Sequence, residues 1–215
     1  MRHALVRSAL ALAFLSPFTA GAELVNGSFE GCSPGNYIGS GGETVINGWT
    51  MTNQGVEWFQ EPGYTARNGN CMVDLAWYTS LGVPGGGIRQ TVNTVLGQRY
   101  NLSYWGATTR GFGRDGTGII ELWLNGSLLS SNAVSNSSST LTLSDWSQFT
   151  DFFVATGSTT DIEFLNQQNA FLNFADLDDV TMSPVVSAVP EPASIALMAS
   201  GLAGLALVSR RRRRN

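Results

Sequence analysis

From residue 86 to residue 183 the chain is written in short runs where apolar and polar positions alternate, the pattern of half-buried β-strands. Ile88 and Val92 share one face of the stretch 87–92, and Tyr100, Leu102 and Tyr104 alternate with Asn101 and Ser103. Ile120, Leu122 and Leu124 alternate with Glu121 and Trp123. Asn125-Gly126 then supplies a two-residue hairpin turn before Leu128-Leu129. Further strands are predicted over 148–154, 161–165 and 177–182. The Ser/Asn-rich stretch Ser130–Ser139 has almost no apolar residue and reads as a solvated loop. No segment here keeps a helical period. Many short strands separated by Gly- and Ser-rich turns predict an all-β chain, a two-sheet jelly-roll sandwich.

Both ends break this pattern. Arg2, His3 and Arg7 precede an apolar core, Ala9–Leu15, and the small-x-small site Ala20-Gly21-Ala22, so residues 1–22 read as a secretory signal peptide. At the other end Val189-Pro190-Glu191-Pro192 precedes a 16-residue apolar run, Ala193–Val208, and five arginines, Arg210 to Arg214. The run is somewhat shorter than the roughly 20 residues of an ordinary spanning helix. The arginines would stay cytoplasmic and place everything before them outside. An ordinary single-pass anchor would show the same apolar run and basic flank. The three parts in this order resemble the PEP-CTERM sorting signal of Gram-negative bacteria. That resemblance implies an exported chain, held in the inner membrane before an exosortase processes it near Pro190–Pro192, and destined for the envelope, cell surface or matrix. Four segments follow: signal peptide 1–22, sandwich 23–183, linker 184–189 and sorting signal 190–215.

Removing the tags changes the charge. Seven of the 12 arginines lie in them, and the chain has no lysine. The domain keeps five arginines against 15 carboxylates, near −10, which argues against nucleic acid and anionic lipid as partners. Cys32 and Cys71, an even count in an exported chain, predict one disulfide; two free thiols or a metal pair are the alternatives.

Four short motifs and a closing one carry a second resemblance. They are Leu24-Val25-Asn26-Gly27-Ser28-Phe29-Glu30, Gly48-Trp49 with Gly55-Val56-Glu57, Gly69 with Val73-Asp74-Leu75 and Gly87-Ile88-Arg89-Gln90, Gly97 through Tyr104, and Asp178-Asp179-Val180. In order and spacing they resemble the bacterial choice-of-anchor C domain, similar to the plant cell-wall domain of unknown function 642 and to galactose-binding-like modules. The resemblance implies a jelly roll acting at a cell wall or matrix, with polysaccharide binding as its usual role. Ala76 through Leu81 depart from the family's Gly/Asn-rich turn.

The one histidine, His3, lies in the signal peptide, so the domain cannot hold a Ser-His-Asp or Cys-His site. Glu57, Asp74 and Glu121 lie near aromatics and are the carboxylates a glycoside hydrolase would draw on. The preferred reading is non-enzymatic. Flat aromatic faces suit sugar C–H groups, with polar side chains nearby for hydroxyls. Trp58-Phe59 and Trp77-Tyr78 put adjacent rings on opposite faces of an extended chain, so one of each pair must leave the core. The expected ligand residues are Trp58, Tyr64, Trp77, Tyr78 and Arg110; packing of the sandwich end is the alternative. Trp49 and Trp146 are expected in the core, and Trp105 and Trp123 under a loop or on an open sheet face. Related jelly rolls bind structural calcium through oxygen ligands. Glu30 and Asp178 are the expected pair here, with backbone hydrogen bonds or an arginine partner as the alternative. The whole predicts an exported polysaccharide-binding sandwich. The alternative is a structural matrix protein with no sugar pocket.

Overall fold

The computed structural model describes residues 24–76, 85–111, 113–169, 171–185, 200–202 and 209–211. It places thirteen strands in chain order: β1 (Gly35–Gly39), β2 (Thr50–Asn53), β3 (Val56–Gln60), β4 (Met72–Asp74), β5 (Gly86–Asn93), β6 (Arg99–Ala107) and β7 (Arg110–Gly111). There follow β8 (Arg114–Asp115), β9 (Thr117–Leu124), β10 (Ser127–Ser135), β11 (Ser147–Val154), β12 (Thr159–Asn166) and β13 (Asp176–Pro184). One sheet has the order β1-β3-β4-β13-β6-β11 and the other β10-β9-β12-β5-β2, with β7 and β8 a small separate ribbon. The chain is an all-β jelly-roll sandwich.

Alternation decides what each strand buries. Val56, Val73, Leu75, Leu102, Tyr104, Ala175 and Leu177 of the first sheet meet Met51, Ile88, Val92, Ile120, Leu122, Ile162 and Phe164 of the second in one core. Trp49 sits among them and donates its indole N–H to the Asn26 carbonyl at 3.0 Å. The turn between β9 and β10 is the one the sequence predicts: Asn125 and Gly126 both have positive φ, 50° and 77°. An Asn-Gly pair tolerates that backbone, which matches the twist of the flanking strands.

Two expectations are corrected. Ser130–Ser139 is not a loop throughout, because Ser127–Ser135 form β10, paired with β9 along its length. An edge strand needs only its neighbour's backbone for pairing, and here Val134 alone is fully buried, so polar composition concealed it. The last strand does not keep a strict period of two. Asp178 pairs with Trp105 while Thr181 pairs with Ser103, a β-bulge that takes up one extra residue, with Asp179 at φ +49°. Asp178 and Val180 are both buried, but the bulge lies between them.

A second unit, Val185–Asn215, separates from Met1–Pro184. Its residues 200–202 and 209–211 are helical, with Arg210 and Arg211 exposed. Among the described residues no helix is long and apolar enough to cross a membrane. The signal peptide, the Val189–Pro192 motif and most of the 193–208 run lie outside the described residues.

Candidate functional site

The outward faces of β3, β4 and β13 carry side chains that a sheet surface seldom tolerates together. Glu57 is directly opposite Asp74, and Asp74 is directly opposite Asp176. Three carboxylates therefore stand side by side across three strands, with Ala107 of β6 completing the row. Like charges in opposed positions destabilise a sheet, so the row calls for a compensating role. Asp74 and Asp176 are each only 2 % exposed.

The row forms part of the lining of a cavity of about 450 Å³, within the range of small-ligand sites. Phe59, Tyr64, Phe171 and Phe174 give it aromatic walls, and Glu61, Thr109 and Arg114 add polar groups. Tyr64 meets Phe59 edge-on at 5.5 Å, and the segment carrying it is pinned by a Thr65 N–H to Leu141 carbonyl bond of 2.8 Å. The Trp146 indole N–H reinforces this by donating to the Thr65 carbonyl at 2.8 Å. Arg114, from the small ribbon, lays its guanidinium over Phe174 at 3.7 Å.

Electrostatics follow from burial. Burial, then the neighbouring charges of Asp176 and Glu57, push Asp74 well above the ordinary carboxylate range, against a backbone N–H from Ala175 and the Arg114 charge. Burial, then Glu57, push Asp176 up to about 8, with Arg114 opposing. Burial lowers Arg114 and raises Tyr64. One oxygen of Asp176, Oδ2, is buried with no hydrogen-bond partner.

The expected site residues scatter. Tyr64 lines the cavity. Trp58 does not: it packs against the core, and its indole N–H donates to the Phe29 carbonyl at 2.6 Å. The pair Trp58-Phe59 does split between two faces, but the outward member is Phe59, because Val56 and Trp58 share the core side of β3. Arg110 is exposed on the ribbon, beside a different shallow depression lined also by Asp115 and Asn136. Trp77 and Tyr78 lie outside the described residues. Of the carboxylates near aromatics, Glu57 and Asp74 come together, whereas Glu121 accepts the Trp123 indole N–H and the Gln167 amide on the other sheet. Trp105 packs beneath Arg67, whose guanidinium lies 3.9 Å from its ring centre. Asp176 and Arg114 were not singled out from the sequence. Their signal, an acid in register with two others, exists only once strand pairing is known.

Glu30 and Asp178 act on one loop. Glu30 Oε1 accepts the backbone N–H groups of Asn70 and Cys71, and Asp178 Oδ2 accepts that of Asn68 at 2.9 Å. Asp178 Oδ1 takes the Asp179 N–H, and burial still raises its acid to about 7. N–H donors converging on these oxygens suit a latch on the loop. Among the described residues no group of three or more His, Cys, Asp or Glu could hold a metal ion. If the pair acts as a latch alone, calcium or a chelator is expected to move the melting temperature by less than about 1 °C. A site saturated a hundredfold above its dissociation constant would add about 2.7 kcal/mol and a clear upward shift. A rise lost in Glu30→Gln would restore the pair as calcium ligands. Gly69, at φ +73°, lies against the Glu30 carboxylate, and a Cβ there would collide with it.

Cys32 and Cys71 form a disulfide, with Cα atoms 6.0 Å apart. It fixes the residue immediately before β4, which carries Asp74.

Fold and cavity together define a jelly-roll β-sandwich domain with an opening on the outer face of its larger sheet. The chain belongs to the family described as protein of unknown function (DUF642), whose profile matches residues 22–190. Residues 188–213 match the PEP-CTERM protein-sorting motif, which marks a secreted, membrane-sorted protein processed by an exosortase. No curated protein matches the chain. Among solved structures the chain is similar to an arabinose-bound α-L-arabinofuranosidase, at 13 % identity and TM-score 0.51, over 76 % of this chain and 26 % of that one. It is similar to a CBM4 structure at 17 % identity and TM-score 0.45, over 76 % and 100 %. Similarity to the CBM22-1 xylan-binding domain from Paenibacillus barcinonensis is 16 % at TM-score 0.44, over 73 % and 100 %. These likenesses concern the fold.

Proposed function

We propose that the protein is delivered to the envelope or extracellular matrix and there binds polysaccharide in the cavity on the outer face of its larger sheet. The observation that carries this reading is the lining: four aromatic rings and a set of buried carboxylates around one opening. Aromatic faces take sugar C–H surfaces and carboxylates accept from hydroxyls, the combination by which proteins hold neutral or cationic glycans. Holding suits the geometry better than cleaving. The two acids of a glycosidase flank the scissile bond, whereas Glu57, Asp74 and Asp176 stand side by side on one floor.

The test is a glycan array that includes bacterial exopolysaccharides, probed with the oxidised protein and two variants. Phe171 is 53 % exposed, so Phe171→Ala can report on binding without unfolding the domain. Phe171→Ala and Tyr64→Ala are each expected to weaken retention at least about tenfold, the scale of a lost aromatic contact of 1.4 kcal/mol or more. Trp58→Ala is expected instead to lower stability by about 3 kcal/mol through the lost core packing. No retention on any glycan by a folded protein would favour a structural matrix protein without a sugar pocket.

A further inference from the structure

We propose that the cavity selects a glycan bearing a free, protonated amine, such as a glucosamine polymer without its acetyl groups. This rests on the cavity being the glycan site. Three features carry it. The first is the surplus of acids: Glu57, Asp74 and Asp176 line a cavity whose walls, among the described residues, hold Arg114 as their basic side chain. The second is Asp176, 2 % exposed, with a buried Oδ2 that has no hydrogen-bond partner. A buried acceptor without a donor costs free energy that a ligand donor recovers. The third is the arrangement in a line. Adjacent strands lie about 4.8 Å apart, so the outer two positions are separated by roughly 10 Å. That spacing suits an extended donor array along a sugar chain, and it does not close into a cage for one metal ion.

An ammonium fits this row where other ligand groups do not. It carries three N–H donors and a positive charge, and so supplies a donor for Asp176 Oδ2 and further positive charge to three acids that share Arg114. Aromatic walls favour a cation over their faces, as Phe174 already shows with Arg114. A uronic acid would bring a fourth carboxylate to the row, and a neutral sugar would bring donors without the positive charge. The protons that burial retains on Asp74 and Asp176 would leave as the ammonium enters, so binding would release protons to the buffer.

The experiment is calorimetric titration of the oxidised full chain with a glucosamine trimer, its N-acetylated counterpart and cellotriose. Because the domain is acidic all over, a cation could also collect on its surface. Glu163→Gln, on the outward face of β12 in the other sheet, controls for that, and so does a titration at raised salt. The glucosamine trimer is expected to bind at least tenfold more tightly than both neutral trimers. Asp176→Asn is expected to abolish that preference and Glu163→Gln to leave it intact. Proton release, read as a dependence of the measured heat on buffer, should accompany the charged trimer alone. Equal affinity for charged and neutral trimers, reduced in Phe171→Ala, would overturn the amine preference and leave the glycan site standing. A preference lost equally in Glu163→Gln, or erased by salt, would also overturn it. No binding of any trimer, together with no retention on the array, would overturn both.

Discussion

Replacing Cys32 and Cys71 by serine together is expected to cost about 4 kcal/mol of stability, the chain-entropy value for a loop of about 40 residues. Urea unfolding of the oxidised wild type and the double variant measures it, as a fall in midpoint with a rise in slope, because the unlinked denatured chain is more expanded. A loss below about 1 kcal/mol would mean that the loop is already restricted in the unfolded chain. The effect is also local. The closed loop contains β1, β2, β3 and the Tyr64 segment, and its far end is the residue before β4. Binding is therefore expected to weaken in the double variant even at temperatures where it stays folded.

The second large effect is a stability that falls as pH rises. A carboxyl whose folded pKa lies above its unfolded value keeps its proton more tightly when folded. Its penalty is absent below the unfolded pKa, near 4, and grows as pH climbs through the folded value. For Asp176 that window runs from about 4 to about 8, and Asp74 and Asp178 shift in the same direction. Glu43 and Asp115 are lowered instead, so they act with the opposite sign, but only in acid. Thermal melts between pH 5.5 and 8.5 should therefore show the protein less stable at the alkaline end. Asp176→Asn should flatten the dependence and raise stability at pH 8.5 by about 2 kcal/mol, by removing a charge buried beside other acids. A wild-type profile rising with pH would contradict the arrangement of the row.

The strands of the second half were readable because each pairs an apolar face with a solvated one. Tyr100, Leu102 and Tyr104 all point into the core of β6, as their alternation predicts. The strands before residue 75 were not resolved from sequence. β4 is three residues long and buried on both sides, Met72, Val73 and Asp74 alike, so it shows no alternation at all. The site was less legible than the fold for the same reason. Asp74 and Asp176 are 102 positions apart and become neighbours only through the antiparallel pairing of β4 and β13. Trp58 and Phe59 must take opposite faces of an extended strand, but adjacency does not say which ring leaves the core, and here it is Phe59. Tyr64, in the Gly/Pro-rich loop beside Trp58-Phe59, is an expected ligand residue and lines the cavity.

The division of labour along β3, β4 and β13 has a consequence for how such a protein diversifies. Val56, Val73 and Leu177 serve the core, while Glu57, Phe59, Asp74 and Asp176 serve the opening from the same strands. If the cavity is the glycan site, its recognition can be rewritten at the three acids while the core built from Val56, Val73 and Leu177 stays untouched; Phe59 also packs with Met72 and Trp146. A library varied there alone would be a direct route to new specificities on one exported scaffold.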